Sequence, residues 1–96
     1  MNDSISDNIE STKLYGEVMK LVRKHCDISR DTNVGMDSHF RNDLSIDSLA
    51  FVETVMDIEN IFGVIIVDED AEKIETIKDL VVYLIGKLGK DSDWLK

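Results

Sequence analysis

Asp47-Ser48-Leu49-Ala50-Phe51-Val52-Glu53-Thr54-Val55-Met56-Asp57-Ile58-Glu59-Asn60-Ile61-Phe62-Gly63 reads as one complete helix with both ends marked. Asp47 carries the short side-chain oxygen that accepts from the free N–H groups of a first turn. Gly63 suits the left-handed residue that closes a last turn. Between them Phe51, Val52, Val55, Ile58 and Phe62 share one arc of an ideal wheel, which is the predicted core face. Leu49 and Met56 fall at the margin of that arc, beside Glu53, Asp57 and Asn60. The result is an acidic face with two apolar studs, readable either as a core edge or as a surface for docking. Glu59 lies on the apolar side of the wheel. Either its stem carries the carboxylate out to water, or the helix is rotated from the ideal.

The flanking segments supply what this helix packs against. Upstream, a helix is predicted from about Ser11 to Cys26. Leu14, Tyr15, Val18, Met19, Leu21 and Val22 share one side, and Lys13, Glu17, Lys20, Arg23 and Lys24 the other. Asp7 and Glu10 have capping-box spacing that extends it N-terminally. Residues 27–46 scatter Ile28, Val34, Met36, Phe40, Leu44 and Ile46 among turn formers. They predict a long loop that tucks a few side chains into the core, and loops of this length usually have a function. Downstream, Val64 to Val67 is a short apolar run with no second strand to pair with. A short helix follows across Asp68 to Ile74. Thr76 and Asp79 have the spacing of a second capping box. They start a last helix that buries Ile77, Leu80, Val81 and Leu84 and ends at Gly86 or Gly89. The sum is a small all-α bundle of three main helices and one short one, with a long loop after the first. Residues 11–89 form its single domain. Residues 1–10 read as a flexible N-terminal extension and 90–96 as a polar tail, in which Trp94 either anchors on the bundle or stays exposed.

Composition bounds the function. The chain has 96 residues and a mass of 10.9 kDa, enough for one core only. Leu, Ile, Val and Phe number 31, about a third of the chain, and disordered chains fall below roughly 20% on this count. The formal charge is −9, which argues against nucleic acid and anionic membrane as partners and favours a basic protein. The charge is concentrated: residues 43–75 hold ten acids and one base, Lys73, while the two flanks are nearly neutral. Such a run is a solvated face or a docking surface. Cys26 is the single cysteine, so an intramolecular disulfide and a cysteine zinc site are both excluded. It sits at the edge of the first helix's apolar face, the place of a half-buried inert thiol. No run approaches the roughly 18 apolar residues of a membrane span. Residues 1–10 have acids and neither Lys nor Arg, unlike a secretory or transit leader. The expectation is a cytoplasmic monomer.

Three kinds of chemistry can be drawn on these residues. Ser48 starts a helix where four N–H groups are free and the macrodipole is positive. A phosphate ester there would be favoured by about 0.3–1 kcal/mol, whereas the plain alternative is that Ser48 only caps the helix. Ser48 with His25 or His39 can be drawn as a catalytic dyad. But His25 lies on an apolar helix face, and no glycine pair makes a nucleophile elbow around Ser48. Asp68, Asp70 and Glu72 fall at positions 1, 3 and 5 of a calcium loop. Lys73 stands where such a loop needs glycine, and Asp79 where it needs glutamate. No metal site and no catalytic residue are expected.

The run from Phe40 through Leu80 resembles the acyl carrier proteins. Asp47-Ser48-Leu49 looks like the family's motif. Val52-Glu53, Val55-Met56, Glu59, Phe62-Gly63 and Asp68-Glu69-Asp70-Ala71-Glu72-Lys73-Ile74 follow it in ungapped register. The resemblance implies a non-enzymatic carrier with 4′-phosphopantetheine covalently attached to Ser48, and with Asp47 supporting the attachment. It also implies that Leu49, Glu53, Met56 and Glu59 form the surface read by partners. Those partners are a phosphopantetheinyl transferase and acyl-transferring and chain-elongating enzymes with basic docking patches. Phe51, Val52, Ile65 and Ile74 would line a space for the acyl chain. Ser45 departs from the family's usual glycine, Ala50 and Asn60 from acids, and Val67 from a frequent proline. These departures suit a dedicated carrier with its own partners, or a divergent lineage, rather than a housekeeping fatty-acid carrier. The alternatives are a peptidyl or D-alanyl carrier or, in a different class, an acidic docking or divalent-cation-binding domain.

Overall fold

Side-chain caps fix where the helices begin. The computed structural model describes residues 12–26, 33–89 and 91–95. Thr12 accepts from the Tyr15 N–H at 3.2 Å and starts α1, Lys13–His25. Asp47 accepts from the Ala50 N–H at 2.8 Å and starts α2, Ser48–Phe62, which Gly63 closes at φ 68. A short α3, Asp68–Lys73, has no side-chain cap. Thr76 and Asp79 form the complete capping box of α4, Ile77–Leu88, and Gly89 ends it. A 3₁₀ turn, Asp93–Leu95, follows. The described residues thus form an all-α bundle of three long helices and one short one. The described first helix is Lys13–His25 with Thr12 as its cap, within the predicted range of about Ser11 to Cys26. Ser11, the Asp7–Glu10 pair, Ile28 and the extension 1–10 lie outside the described residues.

The three long helices meet on the predicted stripes. Leu14, Val18, Leu21 and Val22 of α1 and Ile77, Leu80, Val81 and Leu84 of α4 are buried. The arc of α2 is turned relative to the wheel. Thr54, Ile58 and Phe62 are buried, Phe51 and Val55 are half-buried, and Val52 is exposed rather than in the core. The buried row therefore follows a spacing of four. Thr54 can occupy it because its hydroxyl donates to the Ala50 carbonyl at 2.8 Å, which removes the cost of burying it. Cys26 is buried rather than half-buried. Its N–H still bonds the Val22 carbonyl at 2.8 Å, which keeps the thiol over the core, and burial pushes its pKa up.

The long loop is built into the bundle. Met36, Phe40, Leu44 and Ile46 are buried, and the Phe40 and Phe51 rings meet edge to face at 5.4 Å. Its backbone also supplies α4 with acceptors. Ser38 and Met36 carbonyls take the Ile77 and Lys78 N–H groups at 3.0 and 2.8 Å, and Phe40 N–H donates to the Glu75 carbonyl at 2.9 Å. An isolated antiparallel bridge joins His39 to Thr76. Two free donors of the α4 start are thus satisfied by the loop. Val64 to Val67 stays without regular structure, and among the described residues there is no strand. Tyr83 of α4 donates its hydroxyl to Asp70 at 2.7 Å, which ties down α3. Beyond α4, Trp94 meets Phe62 edge to face at 4.5 Å, so it is anchored on the end of α2.

Candidate functional site

Ser48 is the first residue of α2 and is exposed. Asp47 serves as the cap, so the Ser48 hydroxyl is not consumed in capping. Among the described residues it has no hydrogen-bond partner. The Ala50 N–H is taken by the Asp47 carboxylate and the Phe51 N–H by the Asp47 carbonyl at 3.0 Å. The Ser48 and Leu49 N–H groups find no acceptor among the described residues. A free hydroxyl beside two free N–H donors at the positive end of a 15-residue helix is an arrangement suited to an anion.

Ser48 stands on the wall of a cleft of about 530 Å³. Phe40, Ile46, Phe51, Val52, Ala71 and Ile74 form its apolar part, and Asp47, Asp68, Glu72 and Glu75 put carboxylates around it. Val52 lines this cleft because α2 is rotated away from the ideal wheel. Ile65 does not line it and is 74% exposed. Arg41 also lines the cleft. The sequence signal for it was available, since Arg41 is the one Lys or Arg between residues 31 and 72. The loop reaches Ser48 through Ser45, which adopts a left-handed φ of 54.

On the outer side of α2, Leu49 is 68% and Met56 55% exposed, and Glu53 is exposed between them. Glu59 is half-buried, and its carboxylate accepts the Ile66 N–H at 2.8 Å, bracing the turn after α2. Its awkward wheel position thus has a local use. Asp57 joins this face to α1. His25 Nε2 lies 2.7 Å from its Oδ2, and Lys24 Nζ is 3.3 Å away. The His25 hydrogen bond, with Lys24 beside it, lowers the Asp57 pKa from its ordinary value. This clasp depends on how α1 docks on α2 and has no local signature in the sequence.

The same contacts bear on the other chemistries. Asp57 lies nine residues along α2 from Ser48, about 13 Å by helix rise, so the histidine bound to it is out of reach of the Ser48 hydroxyl. His39 lines the cleft with Ser48. Its Nδ1 accepts the Arg41 and Asn42 N–H groups at 3.2 and 3.3 Å, which leaves the proton on Nε2 and offers a donor rather than a base. Asp68, Asp70 and Glu72 lie within α3 rather than on a ligand loop, and Asp70 is held by Tyr83. Among the described residues no helix is long and apolar enough to cross a membrane.

Comparison with known proteins agrees with this geometry. Residues 17–84 match the family described as a phosphopantetheine attachment site. The chain is 39% identical over 72 residues to an acyl carrier protein of Lactobacillus johnsonii, covering 75% of this chain and 89% of that protein. It is 38% identical over 85 residues to one of Cyanidium caldarium, covering 88% and 98%. With one of Chloroherpeton thalassium it shares 39% over 75 residues, covering 78% and 92%. The family match runs from within α1 to the last buried residue of α4 and so takes in every helix of the bundle. The chain belongs to the acyl carrier protein family.

Proposed function

We propose that this chain carries acyl groups on a 4′-phosphopantetheine arm attached to the Ser48 hydroxyl, and that it catalyses nothing itself. The observation that carries this reading is the uncommitted Ser48 hydroxyl at the start of α2, left free because Asp47 does the capping. The surrounding groups fit a phosphodiester. The Ser48 and Leu49 N–H groups can meet its oxygens, and the adjacent Asp47 carboxylate is engaged by the Ala50 N–H. When bound, the arm supplies a thiol that holds an acyl group as a thioester. The exposed Ser48 oxygen would displace 3′,5′-ADP from coenzyme A on a phosphopantetheinyl transferase, its proton passing to a base of that enzyme. Asp47 would support this by holding the first turn in place. Phe51, Val52 and Ile74 line an apolar space that an acyl chain could enter.

Leu49, Glu53, Met56 and Glu59 form the proposed docking surface for the transferase and for acyl-transferring and chain-elongating enzymes. Carboxylates steer a basic patch toward α2, and the two exposed apolar side chains make the contact. Glu59 contributes at the margin while bracing Ile66. The functional unit is residues 11–89, acting as a cytoplasmic monomer. The test is intact mass before and after incubation with coenzyme A, magnesium and a broad-specificity transferase, with Ser48→Ala alongside. The expected result is one added phosphopantetheine on the natural chain and none on the variant. An equal increase on Ser48→Ala would overturn the assignment.

A further inference from the structure

The guanidinium of Arg41 is unusual in its surroundings. Among the described residues it has no ion-pair or hydrogen-bond partner, although the cleft it lines also carries Asp47, Asp68, Glu72 and Glu75. None of these carboxylates comes within 4.0 Å of it. The backbone that carries it is firmly set. His39 N–H donates to Asp43 at 2.7 Å, and Asp43 and Leu44 N–H groups both return to the His39 carbonyl at 2.9 and 3.1 Å. The His39 ring takes the Arg41 and Asn42 N–H groups. Arg41 therefore projects from a closed turn, and among the described residues it is the single lysine or arginine lining the cleft that holds Ser48.

We infer that Arg41 binds the phosphodiester through which the arm joins Ser48, an inference that rests on attachment at that serine. A phosphodiester placed there brings a negative charge into a cleft already bearing four carboxylates. The end of α2 offers two N–H donors to one side of it. Arg41, reaching from the loop, offers the planar fork that matches two phosphate oxygens. Among the described residues no other lysine or arginine lines the cleft. The tethered anion has a high effective concentration at this one guanidinium, whereas the Asp47 carboxylate is engaged by the Ala50 N–H and the other three make no contact with Arg41. Arg41 is a positioning residue for the arm's first bonds and does not touch the thioester.

The experiment uses chain converted with coenzyme A and verified by intact mass, and reads the phosphorus-31 resonance of the attached group. In the natural chain this resonance is expected away from its position in the urea-unfolded chain, and the Arg41 Nε–H resonance should move between unmodified and modified protein while that of Arg23 stays. Arg41→Gln should carry the phosphorus signal toward the unfolded-chain position, and Arg41→Lys should retain part of the displacement. Melting followed by circular dichroism checks that both variants are folded. Since the apo-to-modified comparison uses the natural chain, it decides the matter even if a variant fails to fold. Absence of any mass increase on Ser48 would remove the attachment reading and this inference together. A modified chain whose Arg41 Nε–H does not move, or a folded Arg41→Gln with an unmoved phosphorus resonance, would overturn the role of Arg41 alone.

Discussion

Ser45 holds the least comfortable backbone in the described chain. At φ 54 it is the one non-glycine residue in the left-handed region, and it stands three residues before Ser48. A side chain in that conformation costs about 1–2 kcal/mol. A glycine removes the cost but loosens the unfolded chain by about 0.4–1 kcal/mol. Ser45→Gly should therefore stabilise the protein by about 0.5–1 kcal/mol, seen as a higher urea midpoint at unchanged slope. Tyr83 sets a limit on the alkaline side. Its partial burial and its hydrogen bond to Asp70 raise its pKa from 10.0 to about 12. The folded state thus keeps this proton where the unfolded state has lost it. Its contribution is complete below pH 10 and is lost as pH rises through about 12. Stability measured across that interval should decline in the natural chain, and the decline should be shallower in Tyr83→Phe.

At the scale of elements, the caps were legible because they are local. Asp47 and Gly63, like Thr76 and Asp79, act within four residues of their own helix, so spacing alone locates them. Asp47→Ala should cost about 1 kcal/mol of stability by chemical denaturation, while Asp47→Asn, which keeps an acceptor oxygen, should stay close to the natural chain. The exchange of Val52 for Thr54 in the buried row was not legible in the same way. It depends on how α2 is rotated against α1 and the loop, and on a hydroxyl that turns back to its own helix. The anchoring of the loop on α4 was hidden for a similar reason, since the donors and acceptors are backbone groups 35 to 42 residues apart in the chain. The site stood between these cases. Ser48 was visible from the sequence. That its hydroxyl is free became evident only when Asp47 was seen to take the cap, and Arg41 acquired a meaning only when the loop brought it to the same cleft.

At the scale of the whole molecule, the net charge of −9 is concentrated on one side of the chain's organisation, in residues 43–75. α2 and α3 carry most of it, with no base in α2 and only Lys73 in α3. Long-range attraction to the proposed basic enzymes would therefore act mainly through these two helices and fade once salt shortens the screening length to about 8–10 Å. Association with an enzyme bearing a basic patch should slow as ionic strength rises. Glu53→Lys should slow it by about tenfold at low salt and much less at high salt, as measured by stopped-flow mixing. Dissociation should respond more to Leu49→Ala and Met56→Ala, because the proposed docking surface assigns these uncharged side chains to contact rather than steering.

The anchoring of Trp94 on Phe62 has a practical corollary. α2 is about 21 Å from first residue to last, with Ser48 at one end and Phe62 at the other. Trp94 is the sole tryptophan of the chain. Its fluorescence therefore comes from the end of the bundle remote from Ser48, the proposed attachment site. Emission will follow the opening of the bundle and stay nearly constant as cargo changes, giving the protein a built-in reporter of integrity that is insensitive to load.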